Sequence, residues 1–400
     1  MKRIYLDNAA TTFVSNEVLT EMLPVFNTVY GNPNSLHSFG REAAALLDEA
    51  RVKVAKAINA EPNEIYFTSG GTEANNWALF GIALANSKRG NHIITSSIEH
   101  HSNLESCKRL ESMGFKVTYL PVDRTGLVSI PDLLHNINEK TILISVMAAN
   151  NEIGTVQNLH AISKIAHEKG VIFHTDAVQA IGAVHIDVKE MDIDALSMSA
   201  HKIYGPKGTG ALYVKKGIKI DNLIYGGEQE RGKRGGTNNV AGAVGLGKAI
   251  EIATRDLSVN SMKLKKMREY FLKRVGEEIE DITVNGHAVQ RLPGLANISF
   301  HYIEGESIMM LLDQDGIAVS TGSACSSGSL EPSHVLAATG LAPEFAQGSI
   351  RFSFGKSTTK EEIDYVVESL KKIVKKLRGY SPLNKRSKFE GGEAKCTLKK

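Results

Sequence analysis

Segments with the pattern of β-strands alternate with segments with the pattern of α-helices, and this alternation limits the possible folds more than any other feature. Helical stretches such as residues 40–59 and 159–169 separate apolar runs that end in polar or glycine-rich turns. We interpret these runs as strands; they cover residues 4–6, 64–68, 92–97, 116–120, 141–148, 171–175 and 194–199. Strands joined through helices pair in parallel and are covered on both faces. The pattern therefore predicts an α/β domain with a mostly parallel sheet.

A second region follows Gly247. Residues 248–276 are highly charged and are predicted to form one long helix. Beyond it, strands are expected at 295–300 and 349–354, and helices at 307–315 and 359–378. This mixture predicts a smaller α+β domain. From residue 381 onward Pro, Gly, Lys and Ser dominate, which is typical of a mobile tail.

These observations predict four parts of the chain. We expect an N-terminal segment (1–15) that packs with the small domain, a large domain (16–255), a small domain (256–380) and a tail (381–400).

The charge balance argues against two classes of partner. The 47 basic residues nearly cancel the 44 acidic ones, which gives no reason to expect direct binding of nucleic acid or of a membrane. No apolar run has the length of a membrane span. Three widely separated cysteines cannot form a disulfide framework, so we expect a cytoplasmic protein. No CxxC or HExxH spacing is present, and we expect no metal site.

Lys202 is the first candidate for chemistry. It follows a run of small and polar residues and precedes a turn rich in glycine and proline. A lysine at such a junction could hold an aldehyde as a Schiff base if its amine is delivered neutral from a partly desolvated pocket. Ser199 and His201 could then bind a phosphate. A surface lysine at a turn is the alternative for a single residue of this kind.

Other polar residues follow predicted strands, and ligands of doubly wound sheets collect at the carboxyl ends of strands. The Ser-Gly-Gly-Thr stretch at 69–72 could hold an anion at a helix N-terminus, or form a plain turn with Thr72 as the N-cap. Asp176 could accept a hydrogen bond from a protonated pyridine nitrogen, or cap a helix. Gln179 could donate to the phenolic oxygen of such a ring, or be solvated.

Four further candidates each have a structural alternative. Asn151 could bind both a cofactor oxygen and a substrate carboxylate, or only form a turn. His100 could stack on an aromatic cofactor, or be a hydrogen-bonded structural histidine. The glycine-rich basic loop at 226–237 could use Thr237 as a phosphate arm that reaches a neighbouring subunit, or be a surface loop. Arg351, inside a predicted strand, could pair with a substrate carboxylate, or form a structural ion pair.

Cys325 differs from the other two cysteines. It lies in a run of Gly, Ser and Ala with almost no apolar cover, which predicts an exposed thiol on a mobile loop. Such a thiol could approach a bound substrate and carry a group away. Cys107 and Cys396 are interpreted as incidental.

Several motifs, found in the same order, resemble those of the cysteine desulfurases of the NifS/IscS type. The resemblance runs from about residue 4 to about residue 380. It implies a pyridoxal 5′-phosphate enzyme of the class V aminotransferase family, with fold type I, a seven-stranded-type sheet and a homodimeric assembly. The motifs are Asp-Asn-Ala-Ala-Thr-Thr (7–12), Tyr-Gly-Asn-Pro-Asn-Ser (30–35) with His37, Thr-Ser-Gly-Gly-Thr-Glu (68–73), Asn-Asn-Glu-Ile-Gly (150–154), Ser-Ala-His-Lys-Ile-Tyr-Gly-Pro-Lys-Gly (199–208) and Gly-Ser-Ala-Cys (322–325).

The resemblance also implies a role for each matching residue. Lys202 would be the Schiff-base lysine, and Asp176 would face the pyridine nitrogen. His100, chosen over His101 because it directly follows Glu99, would stack on the ring. The remaining cofactor contacts would come from Gly71, Thr72, Asn151, Gln179, Ser199, Ala200, His201 and, from the partner subunit, Thr237. Asn151 and Arg351 would hold the substrate carboxylate. Gly71 stands where the family often has Ala.

The implied activity is the conversion of L-cysteine to L-alanine. Lys202 would move the Cα proton, and Cys325 would take the sulfur as a persulfide. The segment after Cys325, ending in Leu-Glu-Pro-Ser (330–333), resembles the subgroup that hands sulfur to iron–sulfur scaffold proteins. Nitrogenase-type clusters, general iron–sulfur assembly and tRNA thiolation all remain open as destinations.

Three other functions are compatible with parts of this sequence. A class V aminotransferase needs no thiol on a Gly/Ser loop, so Cys325 argues against it. A selenocysteine lyase would use the same residues. A noncatalytic assembly scaffold is disfavoured by the complete set of Lys202, His100, Asp176 and Cys325.

Overall fold

The computed structural model describes residues 3–321 and 333–382, and these residues form thirteen strands. In chain order they are β1 (Ile4–Tyr5), β2 (Ile65–Thr68), β3 (His92–Ser96), β4 (Lys116–Leu120), β5 (Thr141–Ser145), β6 (Ile172–Asp176), β7 (Ala195–Ser199), β8 (Gly210–Val214), β9 (Ile282–Asn285), β10 (Leu295–Phe300), β11 (Ile317–Ala318), β12 (Ser320–Thr321) and β13 (Ser349–Ser353).

Helices connect most of these strands. In chain order they are α1 (Asn16–Asn27), α2 (Ser38–Ala57), α3 (Gly71–Ala85), α4 (His101–Ser112), α5 (Ile130–Asn136), α6 (Leu159–Glu168), α7 (Val240–Arg255), α8 (Leu257–Glu278), α9 (Gly305–Gln314), α10 (His334–Ala338), α11 (Pro343–Ala346) and α12 (Lys360–Tyr380). Short 3-10 turns cover Pro62–Glu64, Ala200–Lys202 and Gln229–Gly232.

Seven strands form the central sheet, in the order β2-β8-β7-β6-β5-β3-β4. Only β8 runs antiparallel to its neighbours; every other pairing in this sheet is parallel. All residues of β3, β5, β6, β7 and β8 are buried, as expected for a sheet with helices on both faces. The predicted α/β fold with a mostly parallel seven-stranded sheet is therefore confirmed.

A second sheet has four antiparallel strands in the order β12-β13-β10-β9. Its core includes Phe271 of α8, Phe300 of β10 and Phe352 of β13. Ile4 and Leu6, from the N-terminal segment, belong to the same hydrophobic cluster, and β1 pairs in parallel with β11. The start of the chain thus packs against this second core. The division of the chain into four parts stays a prediction.

The single helix predicted over 248–276 is wrong. The structure has two helices, α7 and α8, which meet at Asp256. α7 begins eight residues earlier than predicted because Asn239 caps it: the Asn239 side chain accepts a hydrogen bond from Gly242 N at 2.9 Å. Most of α7 is apolar and buried, whereas α8 is largely charged. The charge pattern thus marked α8 and the end of α7 but missed the buried start of α7.

Two predicted features fall outside the described residues. Cys325 lies in 322–332, and most of the predicted tail lies in 383–400. Among the residues that the structure describes, no helix is both long and apolar enough to cross a membrane.

Candidate active site

Polar side chains from three strand ends meet at one edge of the central sheet. Asp176 is the last residue of β6 and Ser199 the last residue of β7, its parallel neighbour. Lys202 lies in the 3-10 turn directly after β7, and Gly71 begins the helix that follows β2. The sheet topology therefore brings together residues that are far apart in sequence, as the sequence analysis predicted.

A cleft of about 390 Å³ opens at the N-terminus of α3. Its walls include Gly71, Thr72, Ser199, His201 and Lys207. The residue before the helix, Gly70, has φ 156° and ψ −177°, a combination open essentially only to glycine. Free N–H groups at a helix N-terminus, two hydroxyls and a lysine make this cleft a suitable site for a phosphate.

His201 forms one wall of this cleft. Its Nδ1 lies 3.1 Å from Thr11 Oγ1, in the segment that follows β1. Burial, together with the positive charges of Lys202 and Lys207, lowers the pKa of His201 to about 4. The imidazole is therefore neutral near pH 7 in the ligand-free protein.

The Lys202 amine is held by the backbone of the N-terminal segment. Its Nζ donates to Ala9 O at 2.6 Å and to Ala10 O at 2.7 Å. Gln179 Nε2 also donates to Ala9 O, at 2.9 Å, so Gln179 is not merely solvated. Lys202 and Gln179 thus donate to the same oxygen, that of the Ala9 carbonyl.

Asp176 is 5% exposed, and both of its carboxylate oxygens accept hydrogen bonds. Val178 N donates to Oδ1 at 2.9 Å, and Asn75 Nδ2 donates to Oδ2 at 2.7 Å. The first bond is of the type that an N-cap makes, but the residues that follow, 178–183, form turns rather than a helix. Helix capping therefore does not account for a buried carboxylate at this point.

The two adjacent histidines have different surroundings. His100 is the N-cap of α4, and its Nδ1 accepts from Ser102 N at 3.1 Å. Burial lowers the pKa of His100; the Asp176 carboxylate raises it, whereas the charges of Lys202 and His101 lower it. The His101 ring lies instead 4.9 Å from the ring of His334. His100 is thus the histidine with electrostatic contact to both Asp176 and Lys202, and its stacking role stays a prediction.

Arg351 is 3% exposed and makes an ion pair in this structure. Its Nη2 donates to Asp7 Oδ1 at 2.9 Å and its Nη1 to Asn151 O at 2.9 Å. Its buried Nε has no hydrogen-bond partner among the described residues. The structural ion pair, one of the two alternatives from the sequence, is therefore present, and binding of a substrate carboxylate stays a prediction.

The segment that contains Cys325 has both of its described ends near these residues. On one side, Ser320 of β12 is the cross-strand partner of Arg351. On the other side, the Ser333 hydroxyl donates to Glu152 Oε2, next to Asn151 in the chain. Cys325 itself lies outside the described residues.

Thr237 of this chain does not line the anion cleft. It lies in an adjacent cavity of about 180 Å³, whose walls also include Ser69 and Gly208 from the cleft. The expectation that Thr237 acts in the cleft of a partner subunit stays a prediction.

Cys107 is fully buried, and burial is the main cause that raises the pKa of its thiol to about 12. A thiol in this environment is unreactive, which agrees with its interpretation as incidental.

Sequence reasoning assigned no role to four buried polar residues beside the predicted ones. Asn75 bonds Asp176 and Ser102 bonds His100, whereas Glu99 and Glu152 interact electrostatically with Asp176 and Arg351. Each lies within a few residues of a predicted motif. A charged residue between apolar neighbours, such as Glu99 after Ile98, is the available signal in the sequence.

Comparisons with known proteins agree over nearly the whole chain. The family model of the class-V aminotransferases matches residues 4–366. The cysteine desulfurase IscS of Clostridium botulinum is 55% identical over 384 residues, which is 96% of this chain and 97% of that protein. The cysteine desulfurase IscS of Methanosarcina thermophila is 53% identical over 382 residues, 96% of this chain and 94% of that protein.

Solved structures give the same result. A structure described as a NifS-like protein has a TM-score of 0.89 at 41% identity and covers 94% of this chain and 100% of its own. A structure of SspA in complex with cysteine has a TM-score of 0.79 at 38% identity and covers 88% of this chain and 98% of its own.

Proposed function

This chain belongs to the cysteine desulfurases of the class-V aminotransferase family, and on that premise we propose that it takes sulfur from L-cysteine, releases L-alanine and carries the sulfur as a persulfide on Cys325. The observation that carries the proposal is the meeting of Lys202, Asp176 and His100 at one sheet edge. The described residues on either side of the Cys325 segment lie near these side chains. Ser320 pairs with Arg351, and Ser333 donates to Glu152.

The family's cofactor is pyridoxal 5′-phosphate, and the residues at the sheet edge fit it. The cleft at the start of α3 would hold the phosphate through Gly71, Thr72, Ser199 and His201. The Asp176 carboxylate is buried and held by two hydrogen-bond donors, which suits a partner for a protonated pyridine nitrogen. The remaining contacts would come from Asn151, Gln179, Ala200 and, from the partner subunit, Thr237.

When bound, pyridoxal 5′-phosphate supplies an electron sink that makes the Cα proton of an amino acid acidic and its sulfur open to attack. The Lys202 amine is the group that would take the Cα proton at Nζ. His100 would supply a second site for proton transfer, because an imidazole with a pKa near or below neutrality shuttles protons readily. Arg351 would orient the substrate through its carboxylate.

Cys325 is the proposed sulfur acceptor. Its thiolate would attack the substrate sulfur, so that a sulfur–sulfur bond forms while the bond from Cβ to sulfur breaks. The electron pair of the broken bond stays on carbon, which takes up a proton to become the methyl group of alanine. A reducing compartment such as the cytoplasm suits a free thiol with this task.

Two partners belong to the proposal. The persulfide would pass its sulfur to an iron–sulfur scaffold or to another acceptor protein. The enzyme would act as a homodimer, and the exposed apolar face of α1 supports this: Leu19, Leu23 and Phe26 are 44%, 54% and 62% exposed.

Two substitutions test the chemistry. Lys202→Ala should abolish both the visible absorbance of the bound cofactor and the formation of alanine from cysteine. Cys325→Ala should retain the absorbance but lose alanine formation by at least about a hundredfold, because the sulfur has no acceptor. Lys215→Ala and Cys107→Ala are the matched controls and should retain both signals.

The proposal fails if Cys325→Ala still forms alanine at the wild-type rate, or if the wild-type protein converts its amino-acid substrate to a keto acid. The second result would instead indicate a transaminase.

A further inference from the structure

Asn75 joins two of the proposed active-site residues. It lies near the start of α3 and is 1% exposed. Its Nδ2 donates to Asp176 Oδ2 at 2.7 Å and to Ser102 Oγ at 2.9 Å. Ser102 Oγ in turn lies 2.8 Å from His100 Nδ1. A continuous chain of hydrogen bonds therefore connects the Asp176 carboxylate with the His100 imidazole.

The direction of each hydrogen bond in this chain follows from the groups present. A carboxylate oxygen accepts hydrogen bonds, so the Asn75 group that faces Asp176 Oδ2 is its NH₂ and not its carbonyl. The same NH₂ donates its second proton to Ser102 Oγ. Because the Ser102 oxygen already accepts this proton, its own hydroxyl proton is free to be donated to His100 Nδ1.

The backbone requires the same direction. Ser102 N lies 3.1 Å from His100 Nδ1, and an amide N–H can only donate. His100 Nδ1 therefore faces two donors and cannot carry a proton of its own. In the neutral ring the proton is then on Nε2.

The unpaired carbonyl oxygen of Asn75 indicates that this position requires the two N–H donors of the side chain. Its Oδ1 is buried and has no hydrogen-bond partner among the residues that the structure describes. A buried carbonyl oxygen without a partner is unfavourable, and an apolar side chain at this position would avoid it. Asn75 thus makes its contribution through Nδ2 alone.

We propose that Asn75 and Ser102 are positioning residues that hold His100 as the neutral tautomer with its proton on Nε2. The inference rests on the proposed function, and it assigns opposite roles to two groups. His100 begins each turnover as a proton donor at Nε2, and Lys202 is the base. Asn75 also fixes the Asp176 carboxylate, so one side chain orients both the acid and the partner of the pyridine nitrogen.

Other charged groups near His100 also influence the protonation of its imidazole. Burial lowers the pKa of His100 most, the Asp176 carboxylate raises it, and the charges of Lys202 and His101 lower it. His334, on α10, interacts with both histidines. The donors of Ser102 add to the effect of burial, because they stabilise the neutral ring.

The direct test is the tautomer itself. The holoenzyme would be labelled with ¹⁵N-histidine, and His100→Gln would assign the signals of His100. The expected result is an unprotonated Nδ1 and a protonated Nε2 across neutral pH. A proton on Nδ1, or a charged His100 at pH 7.5, would overturn the inference.

The second test compares two buried serines on α4. Ser102→Ala removes the hydroxyl donor to His100, whereas Ser106→Ala removes a hydroxyl that bonds only the Ser102 carbonyl, at 2.7 Å. Loss of a donor to the neutral ring should raise the pKa of His100, so the pH titration of its ¹⁵N signals should move up by about half to one pH unit in Ser102→Ala. Ser106→Ala should leave that titration in place, and Ser102→Thr should restore it.

Asn75→Ala tests the rest of the chain. It should move the His100 titration in the same direction and also weaken retention of the visible absorbance, because Asp176 loses one of its two donors. Equal His100 titrations for the Ser102→Ala and Ser106→Ala variants would contradict the inference, and the tautomer measurement on the wild type decides the matter if Asn75→Ala does not fold. An enzyme that forms alanine from cysteine while His100 carries its proton on Nδ1 would refute this inference but leave the proposed function intact.

Discussion

The Glu152 carboxyl group is almost completely buried. It follows Asn151 in the chain, is 7% exposed and accepts a hydrogen bond from Ser333. Burial raises its pKa to about 7, although the Ser333 bond and the charge of Arg351 act in the opposite direction. Near neutral pH this side chain therefore changes between a neutral and a charged form inside the protein.

The sign of the effect on stability follows from this shift. The pKa of Glu152 in the unfolded chain is near its ordinary value of 4.5. Between that value and about 7, the folded protein binds the proton and the unfolded chain does not, so the free energy of unfolding should fall as pH rises. We expect a loss on the order of 1–3 kcal/mol between pH 5 and pH 8.

Glu152→Gln should reduce this pH dependence, because the amide is neutral at every pH. Urea unfolding at pH 5 and pH 8 measures it, and the exposed Glu168→Gln serves as the control. Glu99, whose pKa burial also raises to about 7, should maintain part of the dependence in the variant. If the free energy of unfolding of Glu152→Gln changed with pH as in the wild type, Glu152 would not be the group responsible.

Sequence reasoning found candidate residues at strand ends but not the residues that hold them. Lys202 and Asp176 could be predicted as candidates because each lies at or just beyond the carboxyl end of a predicted strand, where ligands of such sheets bind. Asn75 could not, because its function depends on a contact with Asp176, 101 positions away in the chain. A hydrogen bond between distant residues leaves no local pattern.

Strand β8 packs closely against Gly70, the residue that precedes α3 at the anion cleft. A Cβ at Gly210 would lie 2.6 Å from Met198 O and 2.7 Å from Gly70 C. Both contacts are with backbone atoms, which cannot rotate away as a side chain can. The close approach of β8 to Gly70 is therefore possible only with glycine at position 210.

Gly210→Ala should push the turn before α3 out of place and destabilise the protein by about 1–3 kcal/mol. Pyridoxal 5′-phosphate should also be lost more readily on dialysis, because the phosphate site includes that turn. Urea unfolding and the visible absorbance measure the two effects.

The matched control is Gly276→Ala in α8, where a Cβ meets nothing within 4 Å. Alanine in an exposed helix should stabilise the protein by about 0.5–1 kcal/mol. If Gly210→Ala kept the stability and the cofactor retention of the wild type, the close packing of β8 on Gly70 would have no role in the site.

At the scale of elements, the central strands were the easiest to predict. β3 and β4 are apolar runs bounded by polar turns, and their ends agree with prediction to within one residue. The predicted strand over 141–148 is longer than the observed β5, which ends at Ser145, because the apolar run continues through the buried residues 146–148. Apolar character reports burial, and only the pairing of strands decides where a strand ends.

At the scale of the molecule, one apolar surface has no cover from the residues that the structure describes. Leu19, Leu23 and Phe26 lie on one face of α1, since side chains three, four and seven positions apart share a helix face. Tyr30 and Leu36, in the loop that follows, are 66% and 91% exposed. The proposed homodimer would bury this surface.

A double substitution, Leu23→Asp with Phe26→Asp, should therefore halve the mass measured by sedimentation velocity. Met310→Asp is the control, because Met310 is similarly exposed, at 61%, but lies on α9. A variant that keeps the wild-type mass, or a wild-type protein that is already monomeric, would exclude this face as the dimer interface.

The Asp7–Arg351 ion pair occupies the guanidinium that we propose for the substrate carboxylate. Under that proposal an incoming amino acid would compete with the Asp7 carboxylate for Arg351, and its net affinity would be the difference between two interactions. Asp7 lies two residues before Ala9, whose carbonyl oxygen accepts a hydrogen bond from Lys202 Nζ. Substrate recognition at Arg351 would therefore act on the same N-terminal segment that holds the lysine amine.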